Sequence, residues 1–243
     1  MNIKNKLIIN IITPFPEMFE KVINEGILLK SQQKDLVEFN FYNLFNFLSN
    51  PKDRIDDYPF GGGEGMILKA EPIYNAIDDI NKKSGETRVI FPTPDGKVFN
   101  QKIAHKLSKE DSLTFICGHY KGVDQRIRDN YVDDEFSIGD FVLTNGELPT
   151  MLIVDSIVRL RLGVLNNFKS ALKDSFSSEL LDGPHYTRPR IFNDYEVPDI
   201  LLSGNHKKIE KWFLKKREDK TRNKRKDLWK KYKSKNKIGE KNG

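Results

Sequence analysis

Three short apolar runs constrain this chain more than any other feature. Residues 7–12 (LIINII), 88–91 (RVIF) and 113–117 (LTFIC) each read as a buried strand, and each leads into a proline- or glycine-bearing loop. Residues 36–42 alternate well enough for another strand. Helical periodicity fills the intervals: from Pro16 to about Lys30, with Met18, Val22 and Ile23 on one face, then over residues 71–82, 102–107, 123–130 and 148–162. Strands alternating with helices predict an α/β fold with a mostly parallel sheet. Residues 163–179 (GVLNNFKSALKDSFSSE) form a polar connection that ends the pattern, and beyond it lie helical segments with no convincing strand. The expected organisation is an α/β domain over residues 1–165, a linker over 166–178 and a small all-helical domain over 179–243.

Three loops follow predicted strands: residues 92–96 (PTPDG), 118–124 (GHYKGVD) and 137–149 (SIGDFVLTNGELP). In open α/β sheets ligands sit beyond the carboxyl ends of the strands. Glycine there lets the backbone approach a ligand closely. Each loop alone reads better as ordinary turn chemistry; three in one domain point to a pocket. Absences narrow its contents. There is no phosphate-binding G-x-x-x-x-G-K-[ST], no G-x-S-x-G elbow and no H-E-x-x-H, and residues 61–66 (GGGEGM) miss the spacing of G-x-G-x-x-G. The four histidines, at 105, 119, 185 and 206, are scattered. An adenosine-type ligand held by backbone groups fits what remains.

The single cysteine, Cys117, excludes a disulfide framework and a cysteine-based zinc site, and points to a cytoplasmic protein. No apolar run approaches the roughly 18 residues of a membrane span. Charge is uneven. Residues 207–243 carry 17 Lys and Arg against 5 Asp and Glu, a net of +12, while the first 206 residues carry 24 against 30, a net of −6. Trp212, Phe213, Trp229 and Tyr232 interrupt the basic tail, as in a helix that docks on nucleic acid or on its own domain. A solvated end is the other reading.

Seven motifs then occur in order: YPFGGGEGM (58–66), ICGHYKGVDQR (116–126), SIGDFVLTNGELP (137–149), DSIVR (155–159), KDSF (173–176), LLDGPHYTRP (180–189) and VPDILLSGNH (197–206). Together they resemble the bacterial tRNA (guanine-N1)-methyltransferases, over about residues 7–214. The resemblance implies a SPOUT-type α/β domain with a deep trefoil knot, a homodimer, S-adenosylmethionine as methyl donor, and tRNA rather than DNA or a membrane as partner. The modified base would be the guanosine just 3′ of the anticodon, at position 37. By that resemblance the donor pocket comprises Phe91, Pro92, Thr93 and Pro94 of the first loop and Gly118 and Tyr120 of the second. The third loop adds Ile138, Gly139, Asp140, Phe141, Val142, Leu143, Asn145, Gly146 and Pro149. Residues 61–65 would lie near the target base.

Guanine N1 carries a proton at neutral pH, and its methylation builds negative charge on O6. The reaction needs a positioned base and a positioned cation. The resemblance assigns the base to Asp174, the cation to Arg159, and a further role in catalysis or tRNA binding to Asp182. Asp174 also reads as a cap or linker acid, Arg159 as an i,i+4 partner of Asp155, and Asp182 as a turn residue. Several positions depart from the family pattern. His119 and Lys121 replace Arg and Glu, Phe141 replaces Tyr, and Asn145-Gly146 replaces Gly-Gly. The Glu is tied to Mg²⁺ dependence in the family, so Lys121 weighs against a metal, and no metal ligand is assigned. Lys121 is also what favours the alternative, a catalytically impaired knotted tRNA-binding protein.

Overall fold

The structure is a computed structural model that describes residues 6–165 and 174–239; residues 166–173, most of the expected linker, lie outside them. The chain divides into two compact units, Met1–Asn166 and Asn167–Gly243.

In the first unit the apolar runs become strands as their pattern predicts: β1 (Leu7–Thr13), β2 (Val37–Asn43), β5 (Arg88–Val98) and β6 (Ser112–Ile116). With β7 (Asp134–Ser137) they form a five-stranded sheet, order β2-β1-β6-β5-β7, in which every pair is parallel. Both faces are covered. Ile9, Ile11 and Phe115 pack with Val154 and Ile157 on one side, and Ile12 and Ile116 pack with Ile73, Ile77 and Ile80 on the other. This explains why these strands read as continuous apolar runs rather than as alternation. One polar ladder crosses the sheet. Asn40 Nδ2 donates to Asn10 Oδ1 (3.3 Å), Asn10 Nδ2 to Thr114 Oγ1 (3.3 Å), and Thr114 Oγ1 to Thr87 Oγ1 (3.1 Å). Asn10 and Thr114 are fully buried, and the ladder satisfies both.

Three elements differ from expectation. The single helix expected after Pro16 is a 3₁₀ turn (Pro16–Phe19) followed by α1 (Glu20–Ile23) and α2 (Gly26–Gln33). The break falls at Gly26, whose φ of +58° no helix interior accepts. The glycine-rich loop is closed by two short antiparallel strands, β3 (Asp56–Asp57) and β4 (Ile67–Leu68). Strand β5 runs past Pro92, where the apolar run predicts its end. Pro92 and Lys97 both register with Phe136 of β7, so residues 93–96 leave the strand and return. The helices α3 (Ala70–Ser84), α4 (Gln101–Leu107), α5 (Gln125–Tyr131) and α6 (Glu147–Val158) lie where periodicity places them. Asn100 and Asp124 cap α4 and α5 through their side-chain oxygens.

The second unit is not purely helical. Strands β8 (Ile191–Phe192) and β9 (Tyr195–Glu196) form a hairpin. Asn193 and Asp194 fill its two-residue turn with φ of +48° and +63°, the conformation such turns demand. Helices α7 (His206–Lys224) and α8 (Lys226–Gly239) follow. The start of the basic tail is not a solvated end. Thr221 is buried and accepts from Leu181 N (2.9 Å), Lys220 Nζ donates to Asp182 O (2.8 Å), and Tyr232 Oη donates to Glu218 (2.8 Å). Among the described residues no helix is long and apolar enough to cross a membrane.

Candidate active site

The excursion within β5 and the loops beyond the carboxyl ends of β6 and β7 meet around a cavity of about 260 Å³. Close backbone contacts hold them together. Gly146 N donates to Gly118 O (2.8 Å), and His119 and Asn145 form an antiparallel bridge. A Cβ at Gly146 would lie 2.4 Å from Gly118 N and 2.8 Å from Cys117 Cα, so only glycine permits the second and third loops to touch. Gly118 is needed against the first loop, because its Cβ would lie 2.9 Å from Phe91 Cε2. Gly139 has φ +147° and a Cβ there would meet the Phe141 ring at 2.7 Å.

Of the fifteen residues assigned to the donor pocket, all line the cavity except Asp140. Phe141 N donates back to Gly139 O (2.9 Å), a tight turn whose apex is Asp140, and the side chain is left exposed to solvent. His119, Lys121 and Thr144 line the cavity as well. They stand inside the quoted motifs, so the signal was available. No carboxylate lines the cavity, and among the described residues no group of three His, Cys, Asp or Glu side chains could hold a metal. The donor set does not make a Mg²⁺ site. Cys117 is fully buried, and burial, with Glu147 nearby, pushes its thiol well above the ordinary range, so it is no nucleophile.

Behind the cavity wall lies a carboxylate that stands inside SIGDFVLTNGELP but to which the motif assigns no role. Glu147, the first residue of α6, is fully buried. His119 Nε2 lies 2.8 and 2.9 Å from its two oxygens, and Thr13 Oγ1 donates to it at 2.5 Å. Phe15 stacks edge-on against the imidazole at 5.2 Å. The trio ties the end of β1, the second loop and the start of α6 together.

The first loop is anchored separately. Arg128 of α5 donates through Nε and Nη2 to the two oxygens of Glu135 (2.7 and 2.8 Å), and Nη2 also reaches Asp95 Oδ2 (2.7 Å). Thr93 Oγ1 donates to the other oxygen of Asp95. The Thr93 hydroxyl and the Arg128 guanidinium hold the Asp95 carboxyl below the usual range, and Glu135 and Asp95 raise Arg128.

Arg159 caps the C-terminus of α6, its N–H bonded to Asp155 O (3.1 Å). Asp174 and Asp182 both belong to the second unit. There Ser175 Oγ accepts from Asp182 N (2.9 Å), which ties the segment of Asp174 to that of Asp182. Asp182 Oδ1 accepts from Gly183 N (2.7 Å) and its Oδ2 lies 2.8 Å from His185 Nε2. The glycine-rich loop presents Tyr58 and a fully exposed Phe60. Its Gly61, Gly62, Gly63 and Gly65 all have positive φ, and Gly65 lies against the Lys121 side chain, where a Cβ would come within 2.9 Å of Cγ.

Known proteins match this arrangement. Residues 7–231 match the family model described as tRNA (Guanine-1)-methyltransferase TrmD. A tRNA (guanine-N(1)-)-methyltransferase of Bacillus pumilus (strain SAFR-032) is 51% identical over 221 residues, 90% of this chain and 91% of its own. One of the same name from Bacillus subtilis (strain 168) is 51% identical over 223 residues, 91% and 92% of the two chains. The crystal structure of tRNA (m1G37) methyltransferase from Aquifex aeolicus superposes with a TM-score of 0.76 at 38% identity, covering 93% of this chain and 96% of that one. The chain belongs to the tRNA (Guanine-1)-methyltransferase TrmD family.

Proposed function

We infer that the protein transfers a methyl group from S-adenosylmethionine to N1 of the guanosine at position 37 of tRNA. The observation that carries this reading is the convergence of three glycine-bearing loops on one cavity in a chain of this family. Backbone groups of Ile138, Gly139 and Leu143 would take the adenine and ribose, while Phe91, Gly118 and Pro149 shape the walls. Asp174 takes the N1 proton as the methyl group arrives. Arg159 meets the charge that develops on O6. Asp182, held by Gly183 N and His185, positions the tRNA-facing segment that carries Asp174. Lys121, lining the cavity where the family has Glu, weighs against Mg²⁺ there. The reaction takes place in the cytoplasm.

The active form is a homodimer, and the knotted threading of the first unit is the family's. An apolar cleft of about 820 Å³ supports the dimer. Val22, Leu148 and Leu152 stand exposed along it, and Ile138, Phe141 and Leu143 line both this cleft and the donor cavity. A second copy seated there would complete the cavity wall, and by the family pattern Asp174 of one copy would serve the donor of the other. Incubating the protein with S-adenosylmethionine and a tRNA bearing guanosine at positions 36 and 37 tests the activity. Methyl transfer to N1 of guanosine 37 is expected. Binding of that tRNA without methyl transfer would favour an RNA-binding protein that has lost catalysis.

A further inference from the structure

We propose that Arg128 is a positioning residue for the methyl donor, acting through the first loop of the cavity rather than by touching the ligand. This rests on the donor-binding reading above. Residues 93–96 lie outside the register of β5, because Pro92 and Lys97 share one partner, Phe136. An excursion of this kind has no ladder hydrogen bonds of its own to fix its shape. The described residues fix it at two points. One is Gly96, where a Cβ would lie 2.6 Å from both Glu135 C and Phe136 N, so backbone rests on backbone. The other is Asp95, whose carboxylate is 63% exposed yet held at 2.7 Å by Arg128 Nη2.

Arg128 is itself immobilised. It forks onto Glu135 and is only 19% exposed. Its guanidinium lies over the Phe91 ring, 5.4 Å from the centroid. Phe91 is 3% exposed, lines the cavity, and meets Gly118 at its edge. So one guanidinium sets both the tip of the first loop and the aromatic ring that separates it from the second. A planar fork with a stacking face does this, whereas a lysine ammonium would supply charge alone. The cavity's first wall thus depends on a residue of α5 that lies outside the cavity lining.

The test uses the full-length protein, calorimetric binding of S-adenosylmethionine, and methyl-transfer kinetics at saturating tRNA. Asp95→Asn weakens the loop anchor while Arg128 keeps Glu135. Arg128→Gln removes both ion pairs and the ring cover. Removal of a charge-assisted hydrogen bond should raise the donor Kd and KM on the order of tenfold. The turnover at saturating donor and the KM for tRNA should stay at wild-type values, the signature of weakened donor binding alone. Arg128→Lys should fall between wild type and Arg128→Gln. Unchanged donor Kd in Asp95→Asn and Arg128→Gln, with a wild type that binds, would overturn this inference alone. So would a parallel fall in turnover and tRNA affinity, which marks general damage to the fold. A wild type that does not bind S-adenosylmethionine would defeat the donor-binding reading and this one together.

Discussion

The imidazole of His119 stands between the loop-lined cavity and the fully buried carboxylate of Glu147, with Nε2 2.8 Å and 2.9 Å from the two carboxylate oxygens. Removing the imidazole leaves a fully buried carboxyl short of a hydrogen-bond partner, at a cost of about 1–3 kcal/mol. His119→Ala should therefore lower the urea midpoint of the first unit sharply, although His119 touches only loops and a helix end. His119→Arg restores a donor and should recover most of the stability. Equal midpoints for wild type and His119→Ala would show that Thr13 alone satisfies Glu147.

Gly146 tests the close packing of the loops. Its φ of −85° suits any residue, so conformation is not the constraint. The constraint is Gly118 N at 2.4 Å from a would-be Cβ. Gly146→Ala should abolish S-adenosylmethionine binding or leave the protein insoluble. Gly62→Ala, at φ +80° with open space around it, should leave donor binding intact. Donor binding by a folded Gly146→Ala protein would refute the argument from close approach.

Asp174→Asn should reduce methyl transfer by about 10²–10⁴ while S-adenosylmethionine binding stays intact, as expected when a general base is removed. Mixing Asp174→Ala chains with Gly139→Val chains should restore part of the activity if each site draws on two copies. A fully active monomer would defeat the shared site, and unchanged turnover in Asp174→Asn would move the proton transfer to Asp182.

Asp182 gives a pH prediction. Burial alone would push its carboxyl up, but the His185 imidazole and the Gly183 N–H outweigh burial and hold it below the usual range. A carboxyl lowered in the folded state stabilises above its unfolded value and loses that contribution as pH falls through its folded value. The gap in thermal midpoint between wild type and Asp182→Asn should be largest at neutral pH and close in acid. A gap that stays constant with pH would mean the carboxylate contributes nothing through its charge.

The basic helix α7 should supply affinity for tRNA rather than choice of base. Lys207, Lys208, Lys211 and Lys215 are exposed, whereas Thr221 and Lys220 hold the second unit together. Replacing the four exposed lysines by Gln spares that packing. The salt slope of tRNA binding should become shallower by roughly 0.7–0.9 for each phosphate that is no longer neutralised, with the methylated position unchanged. Identical slopes would mean that other residues neutralise the phosphates.

How much of this was legible depended on the range of the signal. The runs LIINII and LTFIC announce β1 and β6 because a sheet buried on both faces needs apolar residues at every position. Strand β7 begins with Asp134 and Glu135 and is held by pairing with β5, so no local pattern betrays it. The Asn193-Asp194 turn did carry a local signal, but strands of two residues are too short to show alternation. The motifs located the cavity wall, since the ligand-facing loops are contiguous in sequence. The roles of Glu147 and Arg128 carry no local signal, because their partners lie up to 134 residues away or behind the wall, where only the folded chain brings them together.

The ladder through Asn10 bears on how the chain is made. Asn10 and Thr114 are 104 residues apart. At about 5–20 residues per second a ribosome needs roughly 5–20 s to deliver that interval. Until then β1 can pair with β2 alone, and its other edge is open. A six-residue run that is apolar throughout would pair readily with the same run of a neighbouring nascent chain. In LIINII only Asn10 breaks the apolar run, and stacked Asn amides form ladders in such pairings, so it does not close that edge. Only the arrival of β6 closes it, when Thr114 takes up the Asn10 amide as a rung of the sheet.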